Sequence, residues 1–148
     1  MDRKFMDLAI IRAKRALEDG EVPVGAVVVR GGEVIASGRN RGEATHQATA
    51  HAEIEAINKA CEAVGDWRLD DCELYVTLEP CPMCSGAIIN ARIKTVVFGA
   101  YDTKRGALGS VAHFGNGMFG TKTEVYGGIC EKECKQILDD FFKGVRNE

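Results

Sequence analysis

The chain has 148 residues and a mass of 16.0 kDa, a length that reads as a single domain over residues 1–148. A chain of this size buries roughly 68–70% of its unfolded surface, so its core needs no disulfide. With 45% apolar and 28% charged residues, 17 glycines and 3 prolines, the composition excludes disorder, collagen-like repeats and a coiled coil. No apolar run approaches the ~20 residues of a membrane span, and the charged N-terminus lacks a signal-peptide stretch, so the expected location is cytoplasmic. The net charge of −3 is the wrong sign for a protein that coats nucleic acid indiscriminately. Between Arg92 and Arg105, however, Lys94 and Lys104 join those two arginines against the single acid Asp102, which leaves room for a local basic contact. The six cysteines, in a chain without an export signal, read as metal ligands or buried thiols rather than disulfides.

In chain order, residues 3–17 space Phe5, Leu8, Ala9, Ala13, Ala16 and Leu17 as an amphipathic helix, with Asp19-Gly20 as its stop. The valine-dense segment Val22 to Arg30, a Gly31-Gly32 turn and Glu33 to Asn40 predict a hairpin. Residues 50–64 return to helical spacing, Leu74 to Leu78 reads as a strand, and Pro82 to Ala91 as a helix with proline in its first turn. Thr95 to Gly99 predicts a buried strand. The glycine-rich stretch 103–121 carries no clear period, and a weak strand follows at Thr123 to Tyr126. The last helix is expected to carry Cys130, Cys134, Ile137, Leu138, Phe141 and Phe142 on one face. Alternation of strands and helices from residue 70 onward predicts an α/β layer structure with largely parallel pairing.

Two short segments carry the chemistry. His51-Ala52-Glu53 opens the second long helix, and Pro80-Cys81-Pro82-Met83-Cys84 joins a strand to the next one. Cys81 and Cys84, at i and i+3, bring both sulfurs to one side of a first helical turn, where N–H groups and the macrodipole favour thiolate. His51 adds a nitrogen. One histidine and two cysteines without an obvious fourth ligand form the pattern of catalytic zinc, which lowers the pKa of a water to about 7. Glu53, two residues from His51, faces a different direction and is free to move protons. The combination of H-x-E with P-C-x-x-C is the known signature of zinc nucleobase deaminases.

With these motifs, the chain resembles the bacterial tRNA-specific adenosine deaminases of the cytidine deaminase-like superfamily. The resemblance extends over Glu21 to Val27, Asn40, Thr49 to Ile54, Leu74 to Cys81 and Val97 to Ala100, with Asp102 and Lys104, and resumes at Phe141-Phe142. It implies an α/β fold with a five-stranded mixed sheet sandwiched between helices, a homodimer, and hydrolysis of the wobble adenosine of a tRNA anticodon, typically in an arginine tRNA, to inosine. Matched residue by residue, it implies that His51, Cys81 and Cys84 hold Zn2+ and that Glu53 shuttles protons. Asn40 would hydrogen-bond the purine, Asp102 and Lys104 would meet neighbouring nucleotides, and Phe142 would form a wall. The chain departs from the family pattern at Ala48, where proline usually precedes Thr49. It departs again over residues 116–120, where an Asn-His pair is usual.

Two other readings stand beside this one. The same zinc chemistry suits a deaminase of a free nucleobase or nucleoside, of guanine or cytidine type, which the acidic pI of about 5.7 favours. A fourth ligand from Cys61 or Cys72 would instead close the metal site and leave a zinc-stabilised interaction module. Cys61, Cys72, Cys130 and Cys134 are expected to be packed thiols, and Glu79 is expected to orient the cysteine loop.

Overall fold

The computed structural model describes residues 1–146; the last two residues of the expected 1–148 domain lie outside the described ones. The Asp2 carboxylate accepts the Lys4 amide at 3.0 Å and starts α1 (Arg3–Glu18). On α1 the apolar positions Phe5, Met6, Ala9, Ile10, Ala13 and Ala16 are all buried. A hairpin follows, β1 (Gly25–Arg30) and β2 (Glu33–Arg39), paired antiparallel. β1 begins three residues later than its valine pattern predicts. The Val24 amide turns back to the Val22 carbonyl at 2.9 Å, so the chain enters the sheet only at Gly25.

The polar loop after the hairpin contains a short helix, α2 (Gly42–Thr45), that no sequence period announces. It is held from a distance: the buried Glu21 carboxylate accepts the amides of Glu43 and Ala44, each at 2.9 Å. Next come α3 (Ala52–Val64), β3 (Cys72–Leu78), α4 (Pro82–Asn90) and β4 (Thr95–Ala100). Residues 103–121 form no helix or strand, only isolated bridges Leu108–His113 and Asn116–Lys122, before β5 (Glu124–Tyr126). The chain closes with α5 (Glu131–Arg146).

The strands order as β2-β1-β3-β4-β5. β1 runs antiparallel to both its neighbours, whereas β3–β4 and β4–β5 are parallel, so the sheet is mixed. Parallel strands are stable when covered on both faces, and every residue of β4 is buried accordingly. α1 and α5 pack together on one face and α3 packs with α4 on the other. α3 sits close to the sheet because Gly38 has no side chain: a Cβ there would lie 2.4 Å from the Ala52 carbonyl oxygen.

One expectation for α5 needs correction. Cys130 is not on the helix; it precedes it with φ +57°, a turn conformation set just before the first helical residue. Cys134, Ile137 and Leu138 are buried as expected, but Phe142 is 45% exposed and turns away from the core.

The pairing fixes where chemistry can gather. β3 and β4 both end at the same edge, and β1, antiparallel to them, begins there while β2 ends there. Asn40, the start of α3, the Glu79–Cys81 turn and the Tyr101–Arg105 loop therefore converge beyond the carboxyl ends of the parallel strands, the usual ligand crevice of such sheets.

Candidate active site

His51 and Cys81 occupy the cap positions of α3 and α4, and neither uses its side chain to cap its helix. For α3 the missing acceptor comes from elsewhere. Asn40, just past β2, accepts the Ala52 amide on Oδ1 at 2.8 Å, which releases the imidazole of His51. For α4, Pro82 occupies the first helical position, where an amide would otherwise want a partner. Ser85 then closes the turn, its amide on the Cys81 carbonyl at 2.8 Å and its hydroxyl on the Pro80 carbonyl at 3.3 Å.

These two caps face each other. His51 Nδ1 lies 3.7 Å from Cys81 Sγ and 3.4 Å from Cys84 Sγ, and the three donor atoms are all within 4.8 Å of one another. A tetrahedral zinc, with bonds of ~2.3 Å to sulfur and ~2.0–2.1 Å to nitrogen, separates S and N by about 3.6 Å. The donor set fits that spacing. Among the described residues no other histidine, cysteine or carboxylate joins the group, so Cys61 and Cys72 do not close it. None of the six cysteines is disulfide-bonded.

The electrostatics divide the group sharply. A hydrogen bond from the Cys84 thiol, helped by His51, holds Cys81 down at about 3, against the cost of its burial. Cys84, as the donor of that bond and itself buried, is pushed up. His51 is raised, first by its hydrogen bond to Cys81, while burial and the positive charge of Arg105 act the other way. Glu53 sits in the first turn of α3, only 4% exposed, and burial lifts its carboxyl to about 7.

Two cavities open on this edge. One, of about 750 Å³, is lined by Asn40, Ala48, His51 and Phe141 among others; the second, of about 880 Å³, by Asp102, Lys104, Arg105 and Lys135. Val22 and Phe142 line both and so stand between them. The structure thus brings Asn40 to the metal group and sets Asp102 and Lys104 in the adjoining cavity, with Phe142 at the boundary. Residues 116–120, where the chain departs from the family pattern, line neither cavity. Sequence reasoning placed Arg105 only in a basic cluster, yet it lines the second cavity and its charge reaches His51. Glu21 clamps α2, a role that its neighbourhood of Glu18, Asp19 and Gly20 does not announce, because its partners are backbone amides about twenty residues away.

The Glu79 carboxylate accepts the amides of Asp102, Leu108 and Ser110 and the Ser110 hydroxyl, so it reaches the cysteine turn through a loop whose Ala107 amide holds the Pro80 carbonyl at 2.9 Å. At the end of β4 the Ala100 carbonyl takes the Glu79 amide at 2.9 Å, and the loop that follows folds back over the carboxylate.

Comparison with known proteins gives the same picture. The family model of the MafB19-like deaminases matches residues 1–146. The chain belongs to this deaminase family. A tRNA-specific adenosine deaminase of Bacillus subtilis (strain 168) is 46% identical over 148 residues, covering 99% of this chain and 92% of the relative. A solved structure from a study of A-to-I editing by tRNA:A34 deaminases at the wobble position superposes with a TM-score of 0.89 at 46% identity, covering 93% of this chain and 100% of the other. The structure of a guanine deaminase from Bacillus subtilis is 44% identical with a TM-score of 0.66, covering 70% of this chain and 67% of that one. The five-stranded mixed sheet between helices is the deaminase fold expected from the resemblance.

Proposed function

We propose that this protein is a hydrolytic adenosine deaminase that converts the wobble adenosine of a tRNA anticodon loop to inosine, releasing ammonia. The observation that carries the chemistry is the His51, Cys81 and Cys84 group with the buried Glu53 beside it. The near-full-length likeness to tRNA-specific adenosine deaminases carries the substrate class. The whole of residues 1–148 is assigned to one deaminase domain.

His51, Cys81 and Cys84 are the residues that would hold Zn2+, and the fit of their spacing supports that metal. Zinc supplies Lewis acidity there, enough to lower the pKa of a water to about 7. Glu53 does the proton work: it takes a proton from the attacking water and delivers it to the purine ring nitrogen, then takes the proton of the newly added hydroxyl and passes it to the amine, so that the C–N bond breaks, the carbonyl of inosine forms and ammonia leaves. Burial lifts the Glu53 carboxyl above the ordinary carboxylate range, which favours its holding a proton between transfers. Asn40, with Oδ1 committed to Ala52, has its NH2 left to donate to a purine acceptor. Asp102 and Lys104 meet the flanking nucleotides in the second cavity, and Phe142 walls the target base. Adenosine must leave its stack to enter, which an unpaired anticodon loop makes inexpensive.

An arginine tRNA is the proposed substrate, and a homodimer the proposed assembly. Val111, Met118 and Phe119, all exposed within residues 108–120, offer apolar surface of the kind a second subunit covers. A tRNA substrate assigns the work to the cytoplasm. Among the described residues no helix is long and apolar enough to cross a membrane.

The guanine deaminase likeness supports a second reading, turnover of a free base at the same site. Zinc-loaded protein offered an arginine-tRNA anticodon stem-loop, guanine, cytidine and adenosine separates the two. Ammonia release with inosine in the stem-loop is the expected result; turnover of a free compound alone overturns the tRNA assignment.

A further inference from the structure

Glu79 is 1% exposed, and among the described residues it pairs with no lysine or arginine. Its partners are all donors on one loop. Oε1 takes the Asp102 amide at 3.1 Å and the Ser110 hydroxyl; Oε2 takes the Leu108 amide at 3.2 Å and the Ser110 amide at 2.9 Å. Gly106 lies directly over the carboxylate, where a Cβ would come within 2.3 Å of Cδ. The backbone is thus wrapped around a buried anion, much as an anion-binding loop wraps its ligand, with the ligand supplied by the chain itself. The same loop is tied to the cysteine turn through the Ala107 amide on the Pro80 carbonyl at 2.9 Å. Within it, Asp102 Oδ1 accepts the amides of Lys104 at 3.1 Å and Arg105 at 3.0 Å, so the direction of both cations depends on where Asp102 is held. Residues 102–105 line the second cavity.

We infer that Glu79 is a positioning residue for substrate: it presets residues 102–110 so that Asp102, Lys104 and Arg105 meet the RNA without first being ordered. The inference rests on the proposed RNA substrate for its catalytic consequence, but not for the clasp itself. A carboxylate is required because four donors converge on two oxygens; an amide would turn an NH2 against backbone N–H groups.

Glu79→Gln, of nearly equal shape, is the decisive variant, with Ser110→Ala as a milder one that removes a single donor. Three quantities are measured: bound zinc, steady-state deamination of the stem-loop, and hydrogen exchange of the loop amides in the RNA-free protein. For Glu79→Gln we expect zinc content to be retained, KM for the stem-loop to rise about tenfold or more, and kcat to change by less than about threefold. Exchange at Asp102, Leu108 and Ser110 should accelerate. Ser110→Ala should move KM and exchange the same way by a smaller factor, which keeps the inference testable should Glu79→Gln fail to fold. Joint loss of zinc and kcat at unchanged KM overturns it, since Glu79 would then serve the cysteine turn. Unaltered exchange in the loop also overturns it. If the wild-type protein makes no inosine, the tRNA reading fails, and loop exchange alone decides the clasp.

Discussion

Asn40 does two separable things with one side chain, and two substitutions pull them apart. Its Oδ1 satisfies the Ala52 amide at the start of α3, and its NH2 is the donor assigned to the purine. Asn40→Ala removes both. Loss of an acceptor at a helix start costs about 1 kcal/mol, within a range of ~0.5–2, which for a domain of this size lowers Tm by about 2–4 °C per kcal/mol. Asn40→Asp keeps an oxygen for the Ala52 amide and adds a negative charge at a helix N-terminus, where it is favoured by about 0.3–1 kcal/mol. The aspartate variant should therefore melt at or near the wild-type temperature. Both variants lose the donor to the base, a deficit of ~1–3 kcal/mol, or about five- to 150-fold in kcat/KM. Thermal melts of the zinc-loaded proteins and single-turnover inosine formation in the stem-loop read the two effects independently. An aspartate variant that edits RNA like the wild type refutes the purine contact, and an alanine variant with an unchanged melt refutes the capping role.

Glu53→Ala should lose about 10²–10⁴-fold in deamination while keeping its zinc, as measured by metal analysis beside the rate; full activity would sink the proton-transfer assignment. Stripping zinc with a chelator should abolish activity and open Cys81 to alkylation, and added zinc should protect it; alkylation indifferent to metal would remove Cys81 from the ligand set. Lys104→Ala and Arg105→Ala should each flatten the dependence of log affinity on log salt by about 0.7–0.9 if they contact phosphate. Gly38→Ala forces a methyl to within 2.4 Å of the Ala52 carbonyl oxygen, and the displacement of α3 should cost ~1–3 kcal/mol in urea unfolding; a neutral result would mean the helix start moves freely.

What could be read beforehand follows physical range. A period of 3.6 residues placed α1, α3 and α5, because burial of a residue such as Ala56 is decided by the helix face it presents, whereas β1 and β4 were legible as continuous apolar runs because both their faces are covered. The H-x-E and P-C-x-x-C segments were legible for a similar reason: each is a cap and a first turn, so its spacing encodes its geometry. Glu21 and Glu79 were not legible in this way. Each is a buried carboxylate whose partners are backbone amides, those of Glu43 and Ala44 for one and of Asp102, Leu108 and Ser110 for the other. Amides carry no residue identity, so no side-chain pattern announces the contact. Phe142 reads two ways: its helical phase matches the apolar face of α5, but the ring is 45% exposed and borders the two cavities, as the expected wall would.

Cys81 and Glu53 pose the sharpest electrostatic contrast in the molecule. Both sit at the start of a helix, where the macrodipole favours an anion, yet one is held down to about 3 and the other lifted to about 7. The dipole is common to both, so the difference must come from the neighbours. Cys81 receives a hydrogen bond from Cys84 and another from His51, which stabilise its charge directly. Glu53, more deeply buried, faces Cys81 at its side, and desolvation outweighs what His51 and its own backbone return. A site that moves protons at neutral pH needs this separation: a fixed anionic ligand that stays charged and a carboxyl that exchanges its proton easily. The fold supplies it by packing two helix starts against one another, so that hydrogen bonds prevail at the thiolate while burial of the carboxyl outweighs the hydrogen bonds from its own backbone and Cys84.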